Sequence, residues 1–159
     1  MIINPGETEP YINRARNRDF ARWIDFTKSV FAPYVGAGRL LAFDSDGTVA
    51  LSIRALATHG HTPGHTSYLV ESKGQTLIVR GDPVLVSGLQ FHDADLGSSF
   101  DSDPKAAAEQ RRILALAAAR GYWIAGSHLP FPGIGQVRAA GNGFSFSPAG
   151  SNSVLAPPR

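Results

Sequence analysis

The segment Thr58-His59-Gly60-His61-Thr62-Pro63-Gly64-His65 sets three of the chain's five histidines within seven positions, inside a run of Gly and Pro. Neutral imidazole is the commonest metal ligand among side chains, and Gly and Pro fix the backbone that aims it. Two other segments share this design. Gly81-Asp82 closes the apolar run Thr76-Leu77-Ile78-Val79-Arg80, and Gly126-Ser127-His128 closes Tyr122-Trp123-Ile124-Ala125. Each candidate ligand therefore sits just past a strand end, where loops present chemistry. Ligands from different strand ends converge only in the folded chain, and together these three elements read as a metal site. The chain has no cysteine, so disulfides and thiolate zinc sites are excluded and any metal must use His and carboxylate.

The remaining pattern alternates helices and hairpins. Phe20, Trp23, Ile24, Thr27, Val30 and Phe31 recur at helical spacing and predict a helix near 12–32 that buries one stripe. Pro33 and Gly36 are expected to end it. Leu40–Phe43 and Thr48–Leu51 flank Asp46-Gly47 and predict one hairpin. Ser67–Glu71 and Thr76–Arg80 around Lys73-Gly74 predict a second. Val137–Ala140 and Phe144–Phe146 around Asn142-Gly143 predict a third. Asp103 as cap and Pro104 in the first turn open a helix through Ile113, Leu114 and Leu116, which Gly121 stops. Tyr122–Ala125 is a buried strand. From Pro148 the composition is that of a mobile tail.

The order and spacing of the His and Asp segments resemble the C-terminal part of the metallo-β-lactamase-fold hydrolases. Three further stretches, Gly88-Leu89-Gln90-Phe91, Phe100-Asp101-Ser102-Asp103-Pro104 and His128-Leu129-Pro130-Phe131-Pro132-Gly133-Ile134-Gly135, look like the branch that contains methyl parathion hydrolase and its lactonase and arylesterase relatives. The resemblance covers roughly residues 10–148. It implies that His65, Asp82 and His128 are metal ligands and form the catalytic site. It also implies that His61 supports the site. His59, His61 and His92 are weighed as supporting residues or extra ligands, and Phe91, Leu129 and Phe131 as the lining of a substrate pocket. Core packing accounts for Trp123.

The family's His-x-His-x-Asp-His motif, which lies upstream in relatives, does not occur in this sequence. The expectation is therefore a truncated domain over 1–147 with a flexible tail over 148–159. Its fold class is α/β (α+β), half of an αββα sandwich, with one mixed sheet and helices on one face. A homodimer is expected to complete it, because Tyr68-Leu69-Val70, Leu77-Ile78-Val79 and Tyr122–Ala125 are apolar at successive positions, as in strands covered on both faces.

A set of two imidazoles and one carboxylate leaves coordination positions open for water, which is the arrangement of a catalytic metal site. One or two divalent ions, zinc first among them, and hydrolysis of a small ester-like molecule (phosphotriester, aryl ester or lactone) are what the resemblance implies. A remnant that binds metal weakly or not at all is the competing reading, and a module that completes another protein's half-fold is a third. Other classes are excluded. Arg14, Arg16, Arg18 and Arg22 are interrupted by Asp19 and Asp25, with net charge only +2, so they read as a solvated helix face with no nucleic-acid partner. Gly133-Ile134-Gly135 lacks the strand, helix and third glycine of a dinucleotide site. No run approaches the ~20 apolar residues of a membrane span, and no signal-peptide pattern opens the chain, so a cytoplasmic location is expected.

Overall fold

The computed structural model describes residues 2–3, 18–43 and 46–150, with residues 2–3, 18–24 and 109–110 described by their backbone alone. In chain order the elements are β1 (Ile2–Ile3), α1 (Arg18–Gly36), β2 (Leu41–Ala42), β3 (Gly47–Ala50), β4 (Ile53–Ala57), β5 (Thr66–Ser72) and β6 (Gln75–Val79). Then follow α2 (Ser87–Gln90), α3 (Pro104–Gln110), α4 (Arg112–Arg120), β7 (Trp123–Ala125), β8 (Ile134–Ala140) and β9 (Gly143–Pro148). Strands β3 to β9 form one seven-stranded sheet in sequence order, and β1 pairs with β2 in a separate ribbon. Neighbours in the large sheet are antiparallel, except β6 and β7, which run parallel across the α2–α4 connection. This is the expected mixed sheet.

Turn chemistry fixes the hairpins. Lys73 and Gly74 both have positive φ (49° and 73°), which joins β5 to β6 by the primed turn that suits the strand twist. The last hairpin turns at Gly141-Asn142, one residue before the expected Asn142-Gly143, with Gly141 at φ 58°. Gly143 itself lies in β9, where a Cβ would run into the carbonyl oxygens of Phe91 and His92. Close backbone approach, not turn geometry, explains that glycine.

Four expectations are corrected. The Asp46-Gly47 hairpin does not form: β2 pairs in parallel with β1, and β3 pairs with β4 around Leu51-Ser52, where Ser52 takes φ 60°. The first helix runs through Pro33 and ends at Gly36 as expected, with Gly38 as the glycine that caps it. Gly38 has φ 61°, and bonds from Gly38 N to Val35 O (3.0 Å) and Arg39 N to Tyr34 O (2.8 Å) close a Schellman motif. The proposed start at residue 12 lies outside the described residues, as does the tail beyond 150. In the described part of α1 no buried stripe exists, since Phe26, Val30, Tyr34 and Val35 are exposed. The helix predicted from Pro104 to Gly121 is broken at Arg111, whose side chain is drawn fully into the interior. Its predicted ends hold: Asp103 Oδ1 accepts from Ala106 N at 3.0 Å, and Gly121 closes the helix at φ 65°.

One face of the sheet carries the core. Ile78, Ile124 and Val137 pack against Ile113, Leu114 and Ala117 of α4, with Val84 and Phe91 beside them, and the Phe91 ring stacks on Phe146 at 5.9 Å. The register places the alternate residues on the other face, where Val70, Leu77 and Trp123 lie side by side across β5, β6 and β7. Together with Ile134 they line a shallow cavity of about 230 Å³. These side chains are half-buried and leave apolar edges on this face, and a two-fold copy of the same surface is the commonest kind of cover. The expected outcome is a homodimer in sedimentation at micromolar concentration, shifted toward monomer by Leu77→Glu. A monomeric parent would show that the chain covers this face itself.

Candidate active site

The parallel pair β6/β7 decides where the site lies. Val79 is registered with Ala125, so Asp82 and His128, three residues beyond each, leave the sheet side by side. Strand β5 runs antiparallel to β6, which brings its entry, and His65 just before it, to the same edge. Loops beyond the carboxyl ends of parallel strands are where open α/β sheets bind ligands.

His65 is buried and fully engaged. Its Nε2 accepts the backbone N–H of Asp82 at 2.9 Å. Nδ1 must then carry the proton, and it donates to Thr58 O at 3.0 Å, with Thr58 Oγ1 2.8 Å away. Thr58 Oγ1 also meets Ser67 Oγ at 3.0 Å, and Ser67 Oγ donates to Arg80 O. Burial, and after it the neighbouring His61, push the His65 imidazole below its ordinary pKa. The ring packs so closely on Gly81 that a Cβ there would lie 2.5 Å from Nε2, and Gly81 takes φ 66°. The glycine before the aspartate is thus required by the histidine.

Asp82 Oδ1 is buried and has no hydrogen-bond partner, while His128 Nε2 stands 3.9 Å from it. His128 itself occupies left-handed backbone at φ 59°, a conformation a non-glycine residue holds only when its surroundings enforce it. Arg80 supplies that enforcement. Its buried guanidinium donates to Ser127 O at 2.6 Å and to Val84 O at 3.1 Å, so one side chain pins the loops on either side of the site. Burial lowers its pKa to about 10 against the opposing pull of Asp82. Gly126 leaves room for it, since a Cβ there would meet Arg80 Cγ at 2.8 Å.

The other expected residues divide. His61 Nδ1 lies 3.1 Å from Asp101 Oδ1, and its ring meets the His65 ring edge-on at 6.0 Å. The His59–His61 stretch is a turn, with Gly60 at φ 139°, not the extended backbone that would put both rings on one face. His59 Nδ1 is buried without a partner. His92 is exposed. Of the expected pocket residues, Phe91 is a core residue bordering a cavity of about 290 Å³, Leu129 packs against the core, and Phe131 is 94% exposed. Residue patterning gave Arg80, Asp101 and Arg111 no role. Their signal was faint: an arginine ending an apolar strand, and an aspartate in a short Ser- and Asp-rich stretch.

A cation suits part of this arrangement. The unpartnered Asp82 Oδ1 and His128 Nε2 are too far apart to bond each other and near enough for one ion, at the ~2.1 Å of zinc–nitrogen and zinc–oxygen bonds, to touch both. His65 has the right tautomer but uses its lone pair on the Asp82 amide. Among the described residues no group of three or more His, Cys, Asp or Glu side chains is placed to hold a metal ion.

The chain belongs to the metallo-β-lactamase superfamily, whose family model matches residues 2–128. Among solved structures it is similar to the hydrolase AbOPH of the β-lactamase superfamily, with 29% identity and a TM-score of 0.83 over 94% of this chain and 54% of that one. It is similar in fold to AidC, a dizinc quorum-quenching lactonase, at 24% identity and TM-score 0.77 over 94% and 54%. A probable metal-dependent hydrolase from Staphylococcus aureus shares the fold at 19% identity and TM-score 0.57 over 69% and 40%. The chain thus spans about half the length of the first two. No curated protein matches it.

Replacing Gly81 with Ala tests the packing directly. The variant is expected to lose about 1–3 kcal/mol of unfolding free energy in urea titration, from left-handed strain and displacement of the His65 ring. Unchanged stability and unchanged His65 imidazole resonances would contradict the described contact.

Proposed function

We propose that this chain acts as a cytoplasmic, metal-dependent hydrolase of small ester-like substrates, with phosphotriesters, aryl esters and lactones as the class. The observation that carries this reading is the orphaned Asp82 Oδ1 facing His128 Nε2 across 3.9 Å. A buried carboxylate oxygen without a donor is costly unless a cation or a water completes it. Similarity to a hydrolase and to a dizinc lactonase supports the same chemistry. When bound, a divalent ion, zinc by this ligand chemistry, supplies water acidified toward neutral pH and a polarised carbonyl or phosphoryl oxygen.

The residues of the chain have separate tasks. Asp82 and His128 would hold the ion, and His65 would join them only by releasing the Asp82 amide. Arg80 keeps the Asp82 and His128 loops at fixed separation. A second reading, a folded scaffold without activity, is favoured by one observation: the His65 lone pair already has an internal donor.

Elemental analysis after dialysis against zinc separates the two. The parent is expected to retain zinc, and Asp82→Ala or His128→Ala to lose most of it. Hydrolysis of an activated phosphotriester, aryl ester and lactone panel should fall in these variants by more than the roughly 10–100-fold typical of residues that only support a ligand, and chelator should abolish it. A parent without zinc and without chelator-sensitive turnover would leave the scaffold reading. Zinc retained undiminished in His65→Ala would remove His65 from the ligand set.

A further inference from the structure

Asp101 lies in the Phe100–Pro104 stretch, and the hydrolase reading gives it no task. Its carboxylate is fully buried, with both oxygens engaged. Oδ1 faces His61 Nδ1 at 3.1 Å. Oδ2 accepts Ser98 N at 3.1 Å and lies 3.4 Å from Arg111 Nη2. The Arg111 guanidinium is also fully buried. Its Nε donates to Pro83 O at 2.6 Å, and its Nη1 donates to Ala94 O and Leu96 O at 2.8 Å each. One ion pair therefore joins the histidine loop, through His61, to the residue that follows Asp82. The backbone strengthens the link: Ser102 N and Asp103 N donate to His61 O and Gly60 O at 3.0 and 2.9 Å.

We propose that Asp101 is a positioning residue of the site, acting through His61. A carboxylate that already accepts from an amide and faces a guanidinium can only accept from His61. The proton of neutral His61 is thereby held on Nδ1, and its lone pair on Nε2, the edge turned away from Asp101. Carboxylate partners of this kind commonly fix the tautomer and ring orientation of a site histidine. The consequence for metal binding rests on the hydrolase reading, whereas the tautomer does not.

The test is nitrogen-15 imidazole NMR on the metal-free chain, with zinc titration alongside. His61 is expected as the Nδ1–H tautomer in the parent. In Asp101→Asn the amide turns its oxygen to Arg111 and Ser98 and its N–H₂ to His61, so the Nε2–H tautomer should appear while the fold is retained. A purely structural role would destabilise the chain without inverting the tautomer. Where His61 joins Asp82 and His128 as a ligand, zinc affinity falls about 10- to 100-fold in the variant. The Nε2–H tautomer in the parent, or an unchanged tautomer in a folded Asp101→Asn, would overturn the proposal. Should Asp101→Asn fail to fold, the parent spectrum still decides it. A parent that takes up no zinc would overturn the metal-dependent reading alone.

Discussion

The buried pair Asp101–Arg111 is the interaction on which the arrangement of the site depends. Removing two charges from water costs several kcal/mol each, and geometry must recover it. Here every carboxylate oxygen has a partner, and the guanidinium reaches three carbonyl oxygens besides Asp101, those of Pro83, Ala94 and Leu96. Burial lowers the Arg111 pKa, while Asp101 first, then Asp95 and Asp93, oppose the shift. The same demand explains why α3 and α4 are two helices. Arg111 sits at the break, its N–H shared between Ala107 O and Ala108 O, so that its side chain can enter the interior. Local helix geometry yields to a buried charge.

Arg80 is a second buried cation. Arg80 fastens Val84 O and Ser127 O, and so holds the Asp82 and His128 loops as Arg111 holds the Asp82 and His61 loops. Asp82 is thus bracketed by two guanidinium clamps, yet its own Oδ1 is left without a partner. His59 Nδ1 and Arg80 Nε are likewise buried without a partner, so the unpaired polar atoms gather around Asp82 and the histidine loop.

The His65–Asp82 contact adds a conformational element. With its Nε2 holding the Asp82 amide, His65 stabilises the turn that follows β6. The tautomer in which it does so is the one that ligation through Nε2 requires. Gly81 permits both the turn and the close ring approach, which joins two features of the sequence, the Gly-Asp dipeptide and the last histidine of the Gly/Pro segment, in one contact.

Much of this was legible in the residues. Lys73-Gly74, Asp103-Pro104 and Gly121 carry local rules, positive φ, capping and helix stop, and each acts as its chemistry dictates. The gathering of His65, Asp82 and His128 near one edge follows from short strands ending in Gly-Asp and Gly-Ser-His. Other features needed the folded chain. Leu41–Ala42 pairs with Ile2–Ile3, and not with Thr48–Ala50, because strand partners are chosen by contacts remote in sequence. Phe91 and Leu129 joined the core while Phe131 stayed in solvent, a division that hydrophobicity alone does not make. Above all, Asp101 and Arg111 are ordinary polar residues in the sequence. Their meaning arises only when folding removes water from both, since a charge gains a defined partner and a defined geometry once nothing else can solvate it.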